Sequence, residues 1–339
     1  LWSWHKKAKA RLLPFGGYSM PGWYEGTQQE HQAIRNGAGL FDVSHMGTLE
    51  ASGPDAADFL DTVATNFVHK LEIGQSHYTY VLDVDGSVMD DIIIYRTGEE
   101  KYLVVVNASN QDKIWAWWTA VNNREVVIDR EAPEKVAPGP VTLRQLKDPA
   151  VGADQLVDIA FQGPVSLPVL QRLCRDEAER KALDELGKFH HTPIHVGDIE
   201  VLASRTGYSG ASVGFELFVH PDHALELWEK ILAEGEKEGV RPCGLASRDS
   251  TRTEAGFPLY GHELSGKYDM TPRQAGYGGF VKKHKPFFVG KAPLMAKNAE
   301  RKQKVVRFQM KRKGIRMVRP DDPVVSRKGV CVGFVTSCV

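Results

Sequence analysis

This chain has no long apolar run, no surplus of charge of either sign and no clustered cysteines. No stretch approaches the ~20 apolar residues needed to cross a bilayer, so no membrane partner is expected. Lys plus Arg and Asp plus Glu both number 43. A neutral chain lacks the basic balance of a dedicated nucleic-acid binder. Cys174, Cys243, Cys331 and Cys338 show no CxxC spacing. Isolated cysteines in a long chain fit free thiols in a reducing compartment, the cytoplasm or a mitochondrial matrix. No metal site is expected, because His190-His191 and His262-Glu263 do not extend to a pattern such as HExxH. His45 and His262 read as hydrogen-bonded structural groups. The lysines of Leu1 to Lys7 are followed by no apolar segment, so this stretch is not expected to be a signal peptide. With no initiator methionine, the chain reads as the trimmed form of a longer one.

What is present is ordinary globular material: 339 residues, 42% hydrophobic and 25% charged, enough for two or three packed units. Its most informative stretch is Asp85-Gly86-Ser87-Val88-Met89-Asp90-Asp91-Ile92-Ile93-Ile94-Tyr95. Asp85-Gly86 is a hairpin turn signal, and Val88 to Tyr95 is a β-branched run expected to form a buried strand. Alternation sends the two carboxyls to opposite faces, so one of them points inward. A carboxylate there needs a hydrogen-bonding partner or a chemical task. The plain alternative is an aspartate capping its own turn.

An internal echo organises the first two thirds. Leu49 to Ser52 runs into Gly53-Pro54 and a helix from Asp55 to Val63; Val157 to Gln162 runs into Gly163-Pro164 and another helix. Phe59, Leu60 and Val63 in the first helix correspond to Val169, Leu170 and Leu173 in the second. Strands at Tyr78–Asp83, Val88–Tyr95 and Lys101–Asn107 then lead to a helix around Trp115 and Trp118. Strands at Ile194–Ser204 and Phe215–His220 lead to a helix around Trp228. The pattern predicts two related α+β units, residues 1–130 and 157–265. The Pro-rich stretch 131–156 is expected to be a linker loop. Residues 266–339 are expected to connect to a C-terminal β unit, with strands at Val305–Met310, Pro323–Ser326 and Val330–Val335. That unit is expected to be incomplete, because the chain stops directly after a strand.

Several segments in order resemble the T-protein of the glycine cleavage system, the aminomethyltransferase family that includes folate-dependent demethylases. They are Gly39-Leu40-Phe41-Asp42-Val43-Ser44-His45-Met46-Gly47, Ser52-Gly53-Pro54, Met89-Asp90-Asp91, Val105-Val106-Asn107-Ala108 and Phe161-Gln162-Gly163-Pro164. They continue with Ser204-Arg205-Thr206-Gly207-Tyr208-Ser209-Gly210, Gly214-Phe215-Glu216, Cys243-Gly244-Leu245-Ala246-Ser247-Arg248-Asp249, Thr253-Glu254-Ala255-Gly256 and Val289-Gly290-Lys291. The resemblance runs from about residue 14 to the end. It implies an α+β, three-domain architecture: two related α+β units around a central folate site, plus a C-terminal β-barrel-like domain. It also implies a reaction in which an aminomethyl group on a lipoylated carrier protein passes its carbon to tetrahydrofolate and releases ammonia.

The resemblance carries roles onto particular residues. Asp91, four residues before Tyr95, matches the family's key aspartate; near the folate nitrogens it can orient the pterin and stabilise cationic character. An ordinary Asp pKa of about 3.9 favours electrostatic positioning over general-base action. Asp90 is then expected to face away and pair locally. Glu216 matches the residue that accepts from the pterin's polar edge, a bidentate task suited to a carboxyl. Tyr78, Tyr95 and Tyr208 match folate-lining tyrosines, with core packing as the alternative. Arg248 matches a folate-contacting arginine, or else pairs with Asp249 or Glu254. Asn107 and Met46 are expected to shape the pocket.

The chain departs from the family in one motif: Gly207-Tyr208-Ser209-Gly210-Ala211 lacks the usual acidic residue. Gly276-Tyr277-Gly278-Gly279-Phe280 is as close to the demethylase relatives, which take carbon from a small methylated amine, sulfonium or methoxy compound. A non-catalytic folate-binding relative is the remaining alternative. Finally, residues 282–316 hold thirteen basic residues against the single acid Glu300. That stretch is either a solvated basic face or a surface that steers an acidic carrier or a polyglutamate tail.

Overall fold

A computed structural model describes residues 1–311, 314 and 316–339. The chain opens with α1 (Trp2–Lys7), β1 (Arg11–Phe15), β2 (Tyr18–Trp23), α2 (Thr27–Asn36), β3 (Ala38–Asp42), β4 (Gly47–Ser52) and α3 (Ala56–Val63). It continues with β5 (Ser76–Leu82), β6 (Val88–Gly98), β7 (Lys101–Val106), α4 (Gln111–Asn122), β8 (Thr142–Gln145), β9 (Val157–Gln162), α5 (Ser166–Leu173) and α6 (Glu177–Glu185). Then follow β10 (His191–Val196), β11 (Ile199–Ser204), β12 (Gly214–Val219), α7 (Pro221–Gly235), β13 (Val240–Cys243) and α8 (Leu245–Ala255). The last elements are α9 (Lys291–Glu300), β14 (Pro323–Val325) and β15 (Cys331–Phe334).

Two large sheets carry the fold, one ordered β5-β6-β7-β4-β8 and one ordered β10-β11-β12-β9-β3-β13. Each hides one face under helices. Ile92, Ile94 and Val104 meet Phe59, Leu60 and Trp118 behind the first sheet. Ile159, Phe161 and Leu217 meet Val169, Leu170 and Trp228 behind the second. The opposite faces turn toward each other, where Tyr95, Leu103 and Val105 pack against Phe218 and Leu202. Both inner faces are therefore buried, which is why these strands carry apolar residues on both sides.

The echo is realised in the backbone. Gly53 and Gly163 both have positive φ, 114° and 141°, a region open to glycine. The Ala56 and Ser166 amides each donate back to that glycine's carbonyl at 3.0 Å. Asn107 (φ −61°, ψ 138°) and His220 (φ −61°, ψ 137°) end their strands with the same geometry.

Three expectations change. Residues 1–130 do not make a self-contained unit, because β3 joins the second sheet between β9 and β13. The chain leaves that sheet at Asp42 and enters the other at Gly47, so Val43 to Met46 crosses between them. Residues 131–156 are not all loop: Thr142 to Gln145 pair with β4 as an edge strand. Val305 to Met310 forms no strand; it runs without a ladder partner, tied by the Val305 amide to the Gln274 carbonyl at 2.8 Å. The last two strands form a hairpin, and no closed barrel is present among the described residues.

The basic stretch also divides. Lys285 is buried and donates to the Ala64 and Asn66 carbonyls at 2.8 Å each, and it sits 3.2 Å from Asp61. Lys297 meets Asp85 and Ser87, and Arg301 meets Asp269. Lys285 fastens the segment to the end of α3, Lys297 to the turn before β6 and Arg301 to the loop at Asp269. Arg312 and Lys313 lie outside the described residues.

Candidate functional site

The site forms where the inner faces of the two sheets meet. Asp91, Ile93 and Tyr95 alternate onto the inner face of β6, while Asp90, Ile92 and Ile94 face the helices. The turn before β6 is closed by Asp85, whose carboxyl accepts from the Ser87 amide at 2.8 Å. Asp90 is thus free of turn capping. It is fully buried and accepts from the Asn107 amide at 3.1 Å, the Asn107 side chain at 2.8 Å and the Asn110 side chain at 2.6 Å. Its partners lie across the sheet rather than in its own turn.

Asp91 is held from two sides. The Tyr78 hydroxyl donates to Oδ2 at 2.8 Å, and Asn107 Nδ2 donates to Oδ1 at 2.9 Å. Burial raises its pKa from the ordinary carboxyl value, against the pull of the Tyr78 and Asn107 bonds. Burial also raises that of Asp90, with the neighbouring Asp91 charge adding to it. Tyr78 rests edge-on against Tyr80 and Phe280, with ring centroids 5.1 and 5.0 Å away, which fixes its hydroxyl.

Across the gap, Glu216 projects from β12. Register places it beside Ala160 and Ser204 on the inner face. Its Oε2 accepts from the Tyr95 hydroxyl at 3.1 Å and from the Thr206 hydroxyl. No described residue donates to its Oε1. Arg248, in the first turn of α8, lays its guanidinium 5.0 Å from the centre of the Tyr208 ring. The Tyr208 hydroxyl donates to the Pro258 carbonyl, and its ring stacks on Phe257 at 5.8 Å. The alternative partners of Arg248 are taken, since Asp249 pairs with Arg252 and Glu254 with Arg35 and His31. Met46 sits on the crossing segment and packs against the apolar clusters on both sides.

The structure therefore gathers Met46, Tyr78, Asp91, Asn107, Tyr208, Glu216 and Arg248 around one interface. Tyr95 is fully buried and holds Glu216 rather than lining an open surface. His45 is also buried, and its Nδ1 has no hydrogen-bond partner among the described residues. Burial, with Arg248 nearby, pushes its pKa down to about 4.

Sequence reasoning missed three residues here. Asn110 is visible only as a second asparagine three positions after Asn107. Thr206 lies inside a motif already noted. Asp158 is a lone acid in the apolar strand Val157–Phe161. Among the described residues no group of His, Cys, Asp and Glu is arranged to hold a metal ion.

The family model described as the GCVT N-terminal domain matches residues 1–285. An aminomethyltransferase of Desulfitobacterium hafniense is 38% identical over 339 residues, covering 99% of this chain and 84% of that protein. One from Caldanaerobacter subterraneus is 39% identical over 317 residues, covering 93% and 77%. The crystal structure of the glycine cleavage system aminomethyltransferase T from Bartonella henselae superposes with a TM-score of 0.76 at 28% identity, covering 99% of this chain and 84% of that one. With a family model matching residues 1–285 and aminomethyltransferases matching along nearly its whole length, the chain belongs to the glycine cleavage T-protein (GCVT) family.

Proposed function

We propose that this chain is an aminomethyltransferase that moves a one-carbon unit from an aminomethyl-lipoyl carrier protein to tetrahydrofolate seated between the two sheets. The observation that carries the reading is the opposition of Asp91, fixed by Tyr78 and Asn107 on the first sheet, to Glu216 on the second sheet and Arg248 on α8. The donor set fits a reduced folate. Glu216 offers a free acceptor oxygen to the N–H groups of an aminopyrimidine edge, while its other oxygen is anchored. Arg248 and the Tyr208 ring offer a cation and an aromatic face. Bound there, tetrahydrofolate supplies the nitrogens that accept the carbon.

The residues of the chain do the rest. Asp91 keeps one orientation because two donors grip its two oxygens, so it presents negative charge where cationic character develops. Burial raises its pKa above that of an ordinary aspartate, a direction that favours proton acceptance from a folate nitrogen alongside positioning. Asn107, held by Asp90, sets the height of Asp91 over the site.

The test is a single-turnover assay with tetrahydrofolate and either an aminomethyl-loaded lipoyl carrier or a panel of methylated amines, sulfonium compounds and methoxy-aromatics. Methylene-folate and ammonia from the carrier alone are expected. Turnover of a methylated compound with silence from the carrier would move the chain to the demethylase branch. Tight folate binding with no turnover of any donor would contradict both enzymatic readings.

A further inference from the structure

The Arg248 guanidinium and the Tyr208 ring, 5.0 Å apart, come from different parts of the chain. Arg248 stands in the first turn of α8, and Tyr208 in the irregular segment between β11 and β12. Asp249 and Glu254 bond Arg252 and Arg35, and the Arg248 guanidinium has no hydrogen-bond partner among the described residues. Its place over the ring is therefore set by where the two backbones sit. The Tyr208 segment is bounded by Gly207 and Gly210, the latter at φ 72°, so its own backbone restrains it little.

One side chain bonds both backbones. Arg35, in the last turn of α2, donates from Nη1 to the Ser209 carbonyl at 3.0 Å and from Nη2 to the Thr251 carbonyl at 3.3 Å. Ser209 directly follows Tyr208. Thr251 neighbours Arg248 on the surface of α8, one turn further on. Nε and Nη2 of Arg35 also grip Glu254 Oε2 at 3.0 and 2.7 Å, and His31 Nε2 meets the same oxygen at 2.7 Å. No other side chain among the described residues bonds both the Tyr208 segment and α8. Gln162 holds the segment through Thr206 and Ser209, but its remaining bond goes to β12 of the second sheet. Two motifs of the sequence, Ser204 to Gly210 and Thr253 to Gly256, thus meet at one arginine.

The planar guanidinium presents its donors in a rigid fork, and Arg35 uses all three of its nitrogens here. An ammonium in its place could stay beside Glu254, but as a point charge it could not span both carbonyls. The Arg35–Glu254 pair is partly exposed, so it adds little to stability. Its consequence is geometric. We propose that Arg35 is a positioning residue of the folate site, clamping the Tyr208 segment to α8 and so setting the Arg248 guanidinium over the Tyr208 ring. The proposal rests on the folate reading above, in which that pair forms one wall.

The experiment is a double-mutant cycle of Arg35→Gln and Arg248→Gln, with Arg35→Lys as the charge-keeping variant. Arg172→Gln is the stability control, since Arg172 makes partly exposed ion pairs with Glu234 and Glu238 behind the second sheet. Tetrahydrofolate affinity, melting temperature and steady-state constants are measured for each. Arg35→Gln should lower affinity about fivefold alone and less than about twofold beside Arg248→Gln, because the clamp has nothing to place once the guanidinium is gone. The KM for tetrahydrofolate should rise with kcat little changed, and the melting temperature should match the control. Arg35→Lys should lose affinity as Arg35→Gln does.

Unchanged affinity in Arg35→Gln overturns the proposal. Equal losses with and without Arg248 also overturn it, because they place Arg35 in a role independent of that residue. Full affinity in Arg35→Lys overturns the clamp, since charge alone would then suffice. A melting temperature well below the control, with kcat lowered and KM unchanged, assigns Arg35 to holding the fold instead. If Arg35→Gln does not fold, Arg35→Lys takes its place in the cycle with the same outcomes. Wild-type affinity in Arg248→Gln overturns the folate wall and this proposal with it. A weakened Arg248→Gln beside a normal Arg35→Gln overturns the proposal alone.

Discussion

The Tyr95 hydroxyl donates to Glu216 Oε2 at 3.1 Å, joining residues 121 positions apart and the inner faces of two different sheets. Neither residue could find its partner within its own half of the repeat. The bond sets one oxygen of Glu216 and leaves the other for a ligand. Tyr95→Phe removes one of the two donors to Oε2 while Thr206 keeps the other. Chemical denaturation should show a loss of about 1 kcal/mol. Folate affinity should fall several-fold, read by titration. Unchanged affinity would mean that Tyr95 serves packing alone.

Asp90 gives a second prediction. It accepts three N–H bonds from Asn107 and Asn110 in a fully buried place. Asp90→Ala leaves those donors without an acceptor, at ~1–3 kcal/mol for each unsatisfied group. Because Asn107 also holds Asp91, activity should fall with stability. A variant that melts early yet turns over normally, once saturated with folate, would show that Asn107 does not need Asp90.

Arg248 tests the other wall. Its guanidinium lies over Tyr208, a contact in which a planar delocalised cation can also stack and direct several donors, whereas an ammonium offers only a point charge. Arg248→Lys should raise the KM for tetrahydrofolate about tenfold and change kcat much less. Equal falls in kcat and kcat/KM would place Arg248 at the transition state instead.

The buried histidines predict an acid response. Burial first, then Arg248, holds the His45 pKa at about 4, below its ordinary 6.5. Burial likewise holds His77 at about 3 and His191 at about 4. A folded-state pKa below the unfolded one means that the contribution is complete above pH 6.5 and is lost as pH falls through the folded value. Urea midpoints should therefore drop between pH 6.5 and 4. His45→Gln should show a shallower drop, since one of the three groups is gone; parallel curves would rule His45 out as a contributor.

Much of this was legible in the sequence, for physical reasons. The Gly-Pro breaks announce themselves because positive φ at Gly53 and Gly163 needs glycine, and Pro54 and Pro164 suit a helix start. Val88 to Tyr95 reads as a strand because five of its eight residues are β-branched or aromatic. What was hidden depends on tertiary pairing. Ala38 to Asp42 carries no mark that it belongs to the distant sheet. Thr142 to Gln145 is too short and polar to announce an edge strand, and only the free edge of β4 makes it one. Lys285 looks like part of a charge run, yet three backbone carbonyls in the last turn of α3 and just after it take its ammonium group. Asp91 and Glu216 came from the family resemblance; their opposition came from the fold.

The most direct measurement is single turnover by Asp91→Asn against wild type, with tetrahydrofolate affinity determined on the same samples. Asparagine keeps an oxygen for the Tyr78 hydroxyl but removes the charge. The account predicts folate affinity within about threefold of wild type and a one-carbon transfer rate ~100–1,000-fold lower. Transfer at the wild-type rate by a variant that binds folate normally would contradict the placement of Asp91 at the reacting nitrogens.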